Sequence, residues 1–269
     1  MEREVYNISY SSLMDWNKCP HFFKLRAIEG ISVFDSSPDT IFGSLMHKCS
    51  AKVVVSQMSI DEAKKLFSRT WTKFSGIYGK YINKKKYDLY FMLEAGLNIL
   101  SNIREAFTKN LGNYKIISDD ESVEKRIKVK ISEKHKQSFK GFLDLVLVHE
   151  NGTVVILDLK TCSSLFWFRK KIDKFKEMQL VLYKHFYAKL FDIEPSKIEA
   201  YFVPLEKNPK SREPVSFLRV TTGTKKTEND LVYLDKAATA INNGNFIKNR
   251  SSCIDDYGTC PFYKTPHCT

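Results

Sequence analysis

Three charged residues stand inside an otherwise apolar stretch, Gly141–Thr161 (GFLDLVLVHENGTVVILDLKT): Asp144, Asp158 and Lys160. Buried charges are costly unless they pair with each other or with a metal ion. An acid on one strand, followed by acid-x-Lys on the next, is what metal-dependent phosphodiester cleavage requires. Hard carboxylate oxygens hold Mg²⁺ or Mn²⁺. Such a cation lowers the pKa of a water and neutralises charge on the transition state. The lysine can orient the attacking water or stabilise that charge. The same residues also fit a buried Asp–Lys pair with a purely structural role.

Two strands must position them, Phe142–His149 and Thr153–Thr161, joined by a turn at Glu150-Asn151-Gly152. Leu143, Leu145, Leu147, Val155, Leu157 and Leu159 fill one parity. Phe142, Val146, Val148, Val154 and Ile156 fill most of the other, so the sheet is expected to be covered on both faces. Asp158 and Lys160, two apart, share a face. A three-residue loop with Gly152 left-handed pairs His149 with Thr153 and sets Asp144 opposite Asp158. Carboxylates so placed repel, and a divalent cation between them turns the repulsion into a site. A two-residue loop would turn Asp158 away.

Upstream the chain is helical. A short helix over Ser9–Asn17, capped by Ser9, restarts at Cys19-Pro20. After a loop over 30–39 come helices at Thr40–Met58, Ile60–Gly76 and Tyr87–Asn110. Gly43 and His47 lie four apart on one helical face. The glycine would admit a close backbone or ligand, whereas a lone helical histidine fits a packed core residue equally well.

Strands at Tyr114–Ile117 and Ser122–Ser132 precede the hairpin, the second with Arg126, Lys128 and Lys130 on an outer face. A loop, Ser163–Phe168, leads to a helix over Lys171–Phe191 with a buried stripe of Phe175, Met178, Leu182, Phe186 and Leu190. Gln179 and Tyr183 lie along its margin. Strands at Lys197–Glu206 and Val215–Val220 and a helix at Lys226–Asn243 complete an α/β chain with a central mixed sheet and a helical annex. Its 269 residues suit one domain: 1–112 helical, 113–222 the sheet core, 223–269 a helix and a cysteine-containing tail.

No apolar run approaches the ~18 residues of a membrane span, and the N-terminus lacks a signal-peptide pattern. The expected setting is cytoplasmic, where the six cysteines are not structural disulfides. The net charge is +12, with 43 basic against 31 acidic residues. Clusters stand at Lys80 with Lys84-Lys85-Lys86, at Lys125 through Lys136, at Arg169-Lys170-Lys171, and at Lys207 through Arg212. Excess base favours a polyanionic partner, although any single cluster also fits a solubilising surface.

GFLD followed by ILDLKT resembles the core of the PD-(D/E)XK nuclease superfamily. It is most similar to the RecB-like subgroup, which includes the RecB and AddB nuclease domains and the CRISPR-associated RecB-like exonucleases. Three further segments match in order. YSSLMDWNKCPHFFKL (Tyr10–Leu25) resembles the subgroup's S-x-S-x-L…C-P segment, GSLMH (Gly43–His47) its G-x-x-x-H motif, and QLVLY (Gln179–Tyr183) its Q-x-x-x-Y motif.

The resemblance implies an αβββαβ restriction-endonuclease-like core. His47, Asp144, Asp158 and the backbone carbonyl of Leu159 would hold the metal. Lys160 would be the catalytic lysine. Gln179 and Tyr183 would contact DNA or support the lysine and the water. An acidic residue often precedes the strand before the first aspartate, and Glu121 and Glu124 are both candidates.

Some RecB-like nucleases hold a [4Fe–4S] cluster on one N-terminal and three C-terminal cysteines. Cys19, Cys253, Cys260 and Cys268 supply that number, but with six and seven residues between the last three where two and about five are usual. Zinc on the same ligands, or a merely buried Cys19, also fits. Cys49 and Cys162 have no counterpart and read as buried thiols. Phe166-Trp167-Phe168 before Arg169, Lys170 and Lys171 could stack on bases and hold phosphates, or plug the space beneath the motif helix.

The expected function is therefore a Mg²⁺- or Mn²⁺-dependent DNA nuclease, an exonuclease acting on ends or single strands. Recombination, repair or phage DNA processing is the expected setting, beside a helicase or recombination partner protein. The rival readings are a nuclease-derived binding or structural protein without catalysis, and a CRISPR spacer-acquisition nuclease.

Overall fold

The computed structural model describes residues 6–31, 37–81, 87–116, 123–255 and 258–268. Glu121 and Lys84-Lys85-Lys86 lie outside these.

Apolar periodicity and caps make the helices. α1 (Tyr10–Lys18) starts at Ser9, which forms a reciprocal capping box with Ser12, and Pro20 occupies the first turn of α2 (Pro20–Phe23). α3 (Pro38–Val54) begins two residues before the expected Thr40, because Ser37 caps it and Pro38 suits the first helical position. α4 (Ile60–Tyr78) has a Ser59–Glu62 capping box, and Asp88 caps α5 (Leu89–Leu111). These three helices bury Phe42, Phe67, Trp71, Ile99 and Phe107 against one face of the sheet.

The sheet contains seven strands among the described residues: β1 (Ile8–Ser9), β2 (Tyr114–Ile116), β3 (Val123–Lys130), β4 (Ser138–His149), β5 (Val154–Cys162), β6 (Ile198–Glu206) and β7 (Leu218–Arg219). The last is much shorter than the expected Val215–Val220, with Val215 joined only by an isolated bridge to Leu205. β5 and β6 run parallel over nine pairs. Their crossover carries α6 (Leu165–Lys170) and α7 (Lys174–Phe191). The expected loop at Ser163–Phe168 is thus mostly a short helix; its aromatic run has no 3.6-residue pattern to announce it.

α1, α7 and α8 (Thr224–Asn242) cover the second face around Ile8, Leu13, Phe139, Phe186, Phe202 and Leu234. α7 is buried from Met178 to Tyr183 almost all round, and Leu190, expected inside, is 43% exposed. The tail forms a two-residue ladder, β8 (Ile254–Asp255) with β9 (Gly258–Thr259). It packs Phe262 and Cys268 against Leu25 in a small core of its own. No described helix is long and apolar enough to cross a membrane.

Candidate active site

The hairpin has the expected register. His149 donates its N–H to the Thr153 carbonyl at 2.9 Å, and Gly152 has φ +83°. The pairs run from Val148–Val154 to Leu145–Leu157. The ladder stops there, one residue short of Asp144 and Asp158.

β4 changes neighbours at this point. Its C-terminal half pairs with β2 on one edge and β5 on the other; its N-terminal half pairs with β3 and β1. A strand has two edges, so β1 occupies the edge that β5 has left. Asp144 stands in the fork. Inward direction switches here as well: Phe139 and Leu143 enter the α7 core, whereas Leu145 and Leu147 enter the α3–α5 core. Leu143 and Leu145, of one parity and expected on one face, therefore enter opposite cores. Glu124, between the pairs Val123–Leu145 and Lys125–Leu143, has φ +49°, a conformation that non-glycine residues rarely adopt. Both strands are irregular at one level, which lets a side chain leave the regular alternation.

Into the fork point three elements. The Asp144 carboxylate (Oδ2) accepts the Leu159 N–H at 2.7 Å and lies 3.4 Å from His47 Nδ1 on α3. Asp158, 2% exposed, accepts a hydrogen bond from Gln179 Nε2 at 2.8 Å through Oδ1. Gln179 also donates to the Tyr183 hydroxyl at 3.4 Å. Lys160 Nζ lies 2.7 Å from Asp158 Oδ2. Burial pushes the Asp158 carboxyl up to about 6 against the pull of Lys160, and the Asp144 charge adds to the rise. For Lys160, burial works downward, but Asp158 and then Asp144 outweigh it and hold the ammonium above its ordinary range.

One glycine permits this closeness. A Cβ on Gly141 would stand 2.6 Å from the Tyr183 ring, so the glycine of GFLD is what lets α7 lie on β4. A Cβ on Gly43 would meet Thr161 Oγ1 at 3.4 Å, an ordinary contact, so α3 lies close to the end of β5 there without requiring the glycine. Tyr10 is a neighbour that the sequence reading left out. Its hydroxyl donates to the Phe175 carbonyl at 3.1 Å, and its phenol is raised by burial, then by the charges of Asp158 and Asp173.

The donor set suits a hard divalent cation. Among the described residues, Asp158 Oδ2 is buried, accepts no well-angled hydrogen bond and faces the Lys160 ammonium. Among the described residues, no group of three or more His, Cys, Asp or Glu side chains is gathered to hold a metal ion. A cation would have to draw on carboxylates that already face Lys160 and the Leu159 N–H.

The profile of one protein family matches residues 7–265, nearly the whole chain. The chain belongs to the PD-(D/E)XK nuclease superfamily. Superfamily members generally use divalent metal ions. A crystal structure from Eubacterium rectale, named as a presumed exonuclease, superposes with a TM-score of 0.57 at 15% identity, covering 93% of this chain and 86% of that one. The structure named SSO0001 matches with a TM-score of 0.32 at 13% identity, over 74% of this chain and 86% of that one. No curated protein matches the sequence.

Elsewhere in this nuclease fold the tail folds back on α1 and α2. Asn249 donates its N–H to Cys19 Sγ at 3.3 Å and its side-chain amide to the Lys18 carbonyl at 2.9 Å. Cys19, Cys253, Cys260 and Cys268 consequently line one small cavity. Burial, then the neighbouring thiols Cys260, Cys268 and Cys19, raise the Cys253 thiol. Cys49 is buried and Cys162 half-buried.

On α6, Phe166 and Trp167 are exposed while Phe168 packs edge-on against Phe202. The Lys170 ammonium lies over the rings of Phe166 and Trp167. Lys171 is exposed. Arg169 turns to a different polar cavity of about 270 Å³, shared with Asn102, Lys109, Arg212 and Glu213.

Proposed function

We propose that this chain is a Mg²⁺- or Mn²⁺-dependent deoxyribonuclease of the RecB-like subgroup, hydrolysing phosphodiester bonds at DNA ends. One observation carries the reading: Asp144, Asp158 and Lys160 meet where β4 and β5 part, within reach of His47 and Gln179. His47, Asp144, Asp158 and the Leu159 carbonyl would hold the cation. When bound, it supplies acidification of a water and neutralisation of charge at phosphorus. Lys160 presents a fixed positive charge to the attacking water or to the phosphate oxygens. Gln179 fixes the Asp158 carboxylate, and Tyr183 fixes Gln179.

Action at ends rests on the absence of any base-reading module in the described residues, and the Eubacterium rectale relative's name agrees. The RecB-like assignment rests on four motifs standing in order. Trp167, Lys170, Lys171 and Arg169 would contact DNA beside the site. The four cysteines match the ligand number of a [4Fe–4S] cluster and would hold one by drawing closer together, since they line one cavity without being gathered as a metal-holding group. Recombination, repair or phage DNA processing, in the cytoplasm of a bacterial or phage-infected cell, is the setting in which such an enzyme works. Neighbouring genes would separate this from spacer acquisition.

The decisive assay is degradation of end-labelled linear DNA with Mg²⁺ or Mn²⁺, with Asp158→Ala and Lys160→Ala as controls. Metal-dependent loss of label in the native protein alone is expected; activity surviving both substitutions overturns the reading.

A further inference from the structure

The N-terminal half of β4 and its partner β3 leave most of one face of the sheet uncovered: Arg126, Lys128 and Phe142 are exposed, and half-buried Lys140 has its ammonium over the Tyr6 ring. Cross-strand partners share a face, so Arg126 stands beside Phe142, and Lys128 beside Lys140. The other face, with Ile127, Phe139 and Leu143, is in the core. Phe142 is 58% exposed, in the middle of a sheet where an apolar side chain has a core to enter one residue away. Lys128 and Lys140 lie directly opposite one another, an arrangement that destabilises a sheet by itself. Among the described residues no carboxylate pairs with Arg126, Lys128 or Lys140. Lys140 further lines an open groove together with Lys134 and Lys136, and no acidic side chain lines that groove.

The uncovered face runs straight to the fork. Phe142 and Lys140 precede Asp144 by two and four residues, about 7 and 14 Å along the strand. Cations with no acidic partner ask for an anion, and repeated cations along a strand ask for a polyanion. An exposed ring among them adds a surface for a base, which a duplex keeps stacked inside.

We propose that this β3–β4 face is a track for one unpaired DNA strand, with a base on Phe142 and phosphates on Arg126, Lys128 and Lys140, leading into the groove of Lys134 and Lys136. This rests on the nuclease reading for its destination, the Asp144–Asp158 fork, but not for the binding itself.

The test is fluorescence anisotropy in EDTA, without turnover, using labelled oligo-dT of about 16 nucleotides and a duplex of equal length. Phe142→Ala is expected to weaken oligo-dT binding by about five-fold or more, the lower end for one stacked base, and to leave duplex binding nearly unchanged. Lys128→Ala/Lys140→Ala should flatten the log–log salt dependence for oligo-dT by about 1.4, two phosphates at ~0.7 each. Tyr90→Ala, on an exposed ring of α5 (71% exposed), serves as the control and should bind like the native chain. Native binding by Phe142→Ala, or equal losses for oligo-dT and duplex, overturns the track. Cleavage with Mg²⁺ is measured on the same proteins. DNA cut by the native chain with Phe142→Ala binding unchanged sinks the track and leaves the nuclease. The expected binding losses with no cutting sink the nuclease and leave the track.

Discussion

The Asp144 carboxylate accepts the Leu159 N–H at 2.7 Å, so a side chain of β4 takes over where the main-chain ladder with β5 ends. The residue therefore has a structural and a chemical duty that substitution can separate. Asp144→Asn keeps a carbonyl oxygen to accept that bond and removes the charge. It should unfold at nearly the native urea midpoint yet lose cleavage by about 10²-fold or more, the scale of a lost electrostatic stabiliser. Asp144→Ala should lose activity as well and also about 1–2 kcal/mol of stability. Urea titration of both variants beside the cleavage assay checks this; equal stabilities would remove the structural duty.

Gly141→Ala places a methyl group 2.6 Å from the Tyr183 ring. α7 must shift or the ring must turn, at a cost of about 1–3 kcal/mol for overpacking. Because Tyr183 touches Gln179 and Gln179 holds Asp158, cleavage should fall with stability. Adding Tyr183→Ala makes room for the methyl and should recover part of the lost stability. A double-mutant cycle measures the coupling; strict additivity would show that the two residues do not press on each other.

Asp230 on α8 is buried, and among the described residues its Oδ2 has no hydrogen-bond partner. Burial first, and Glu177 next, push its carboxyl up to about 6, against Lys226. The folded state then holds a proton that the unfolded state releases between pH 3.8 and about 6. Stability attributable to this group falls as pH rises through that window and stays lower above it. Asp230→Asn should stabilise the fold at pH 7 by on the order of 1–2 kcal/mol once screening is allowed for, and so raise Tm. The gain should vanish near pH 4. Thermal melts at the two pH values decide it, and a gain that is the same at both would place the effect elsewhere.

The cysteine cavity makes its own prediction. Anaerobically purified protein should contain iron and sulfide and absorb near 400 nm, and Cys260→Ser should lose both and melt lower as the tail leaves α1 and α2. Colourless protein without iron, with melting unchanged by Cys260→Ser, would leave the four thiols as packing. Zinc in place of iron would keep the melting effect without the colour.

The hairpin register was legible because turn chemistry and period two leave little freedom: Gly152 must be left-handed, and the acids must then meet near one level. Gln179, Tyr183 and His47 were legible as motifs, and the structure brings all three to the fork. Phe142 was misread. Alternation placed it in a covered face, and nothing local says that the helical annex stops before the N-terminal half of β4. β1 was missed because two residues carry no pattern; what holds Ile8 is pairing with Phe139, far along the chain. The turn of side-chain direction at Asp144 was equally silent, since it comes from the loss of one neighbour and the gain of another. Tyr10 belongs to a recognised segment, yet its place beside Asp158 emerges only from the docking of α1 on α7.

The exchange of neighbours along β4 bears on how the molecule folds. The β4–β5 hairpin and the β3–β4 pair are local and can form early. The pairing of Ile8 with Phe139 closes a loop of well over a hundred residues, and such non-local closure is slow because its entropy is lost before its contacts reward it. Tyr10 arrives with that strand, and Gln179 only with the crossover helix. A newly made chain would therefore hold its aspartates together before it holds them correctly. Its cutting power would emerge late, in one step with the closing of the fold.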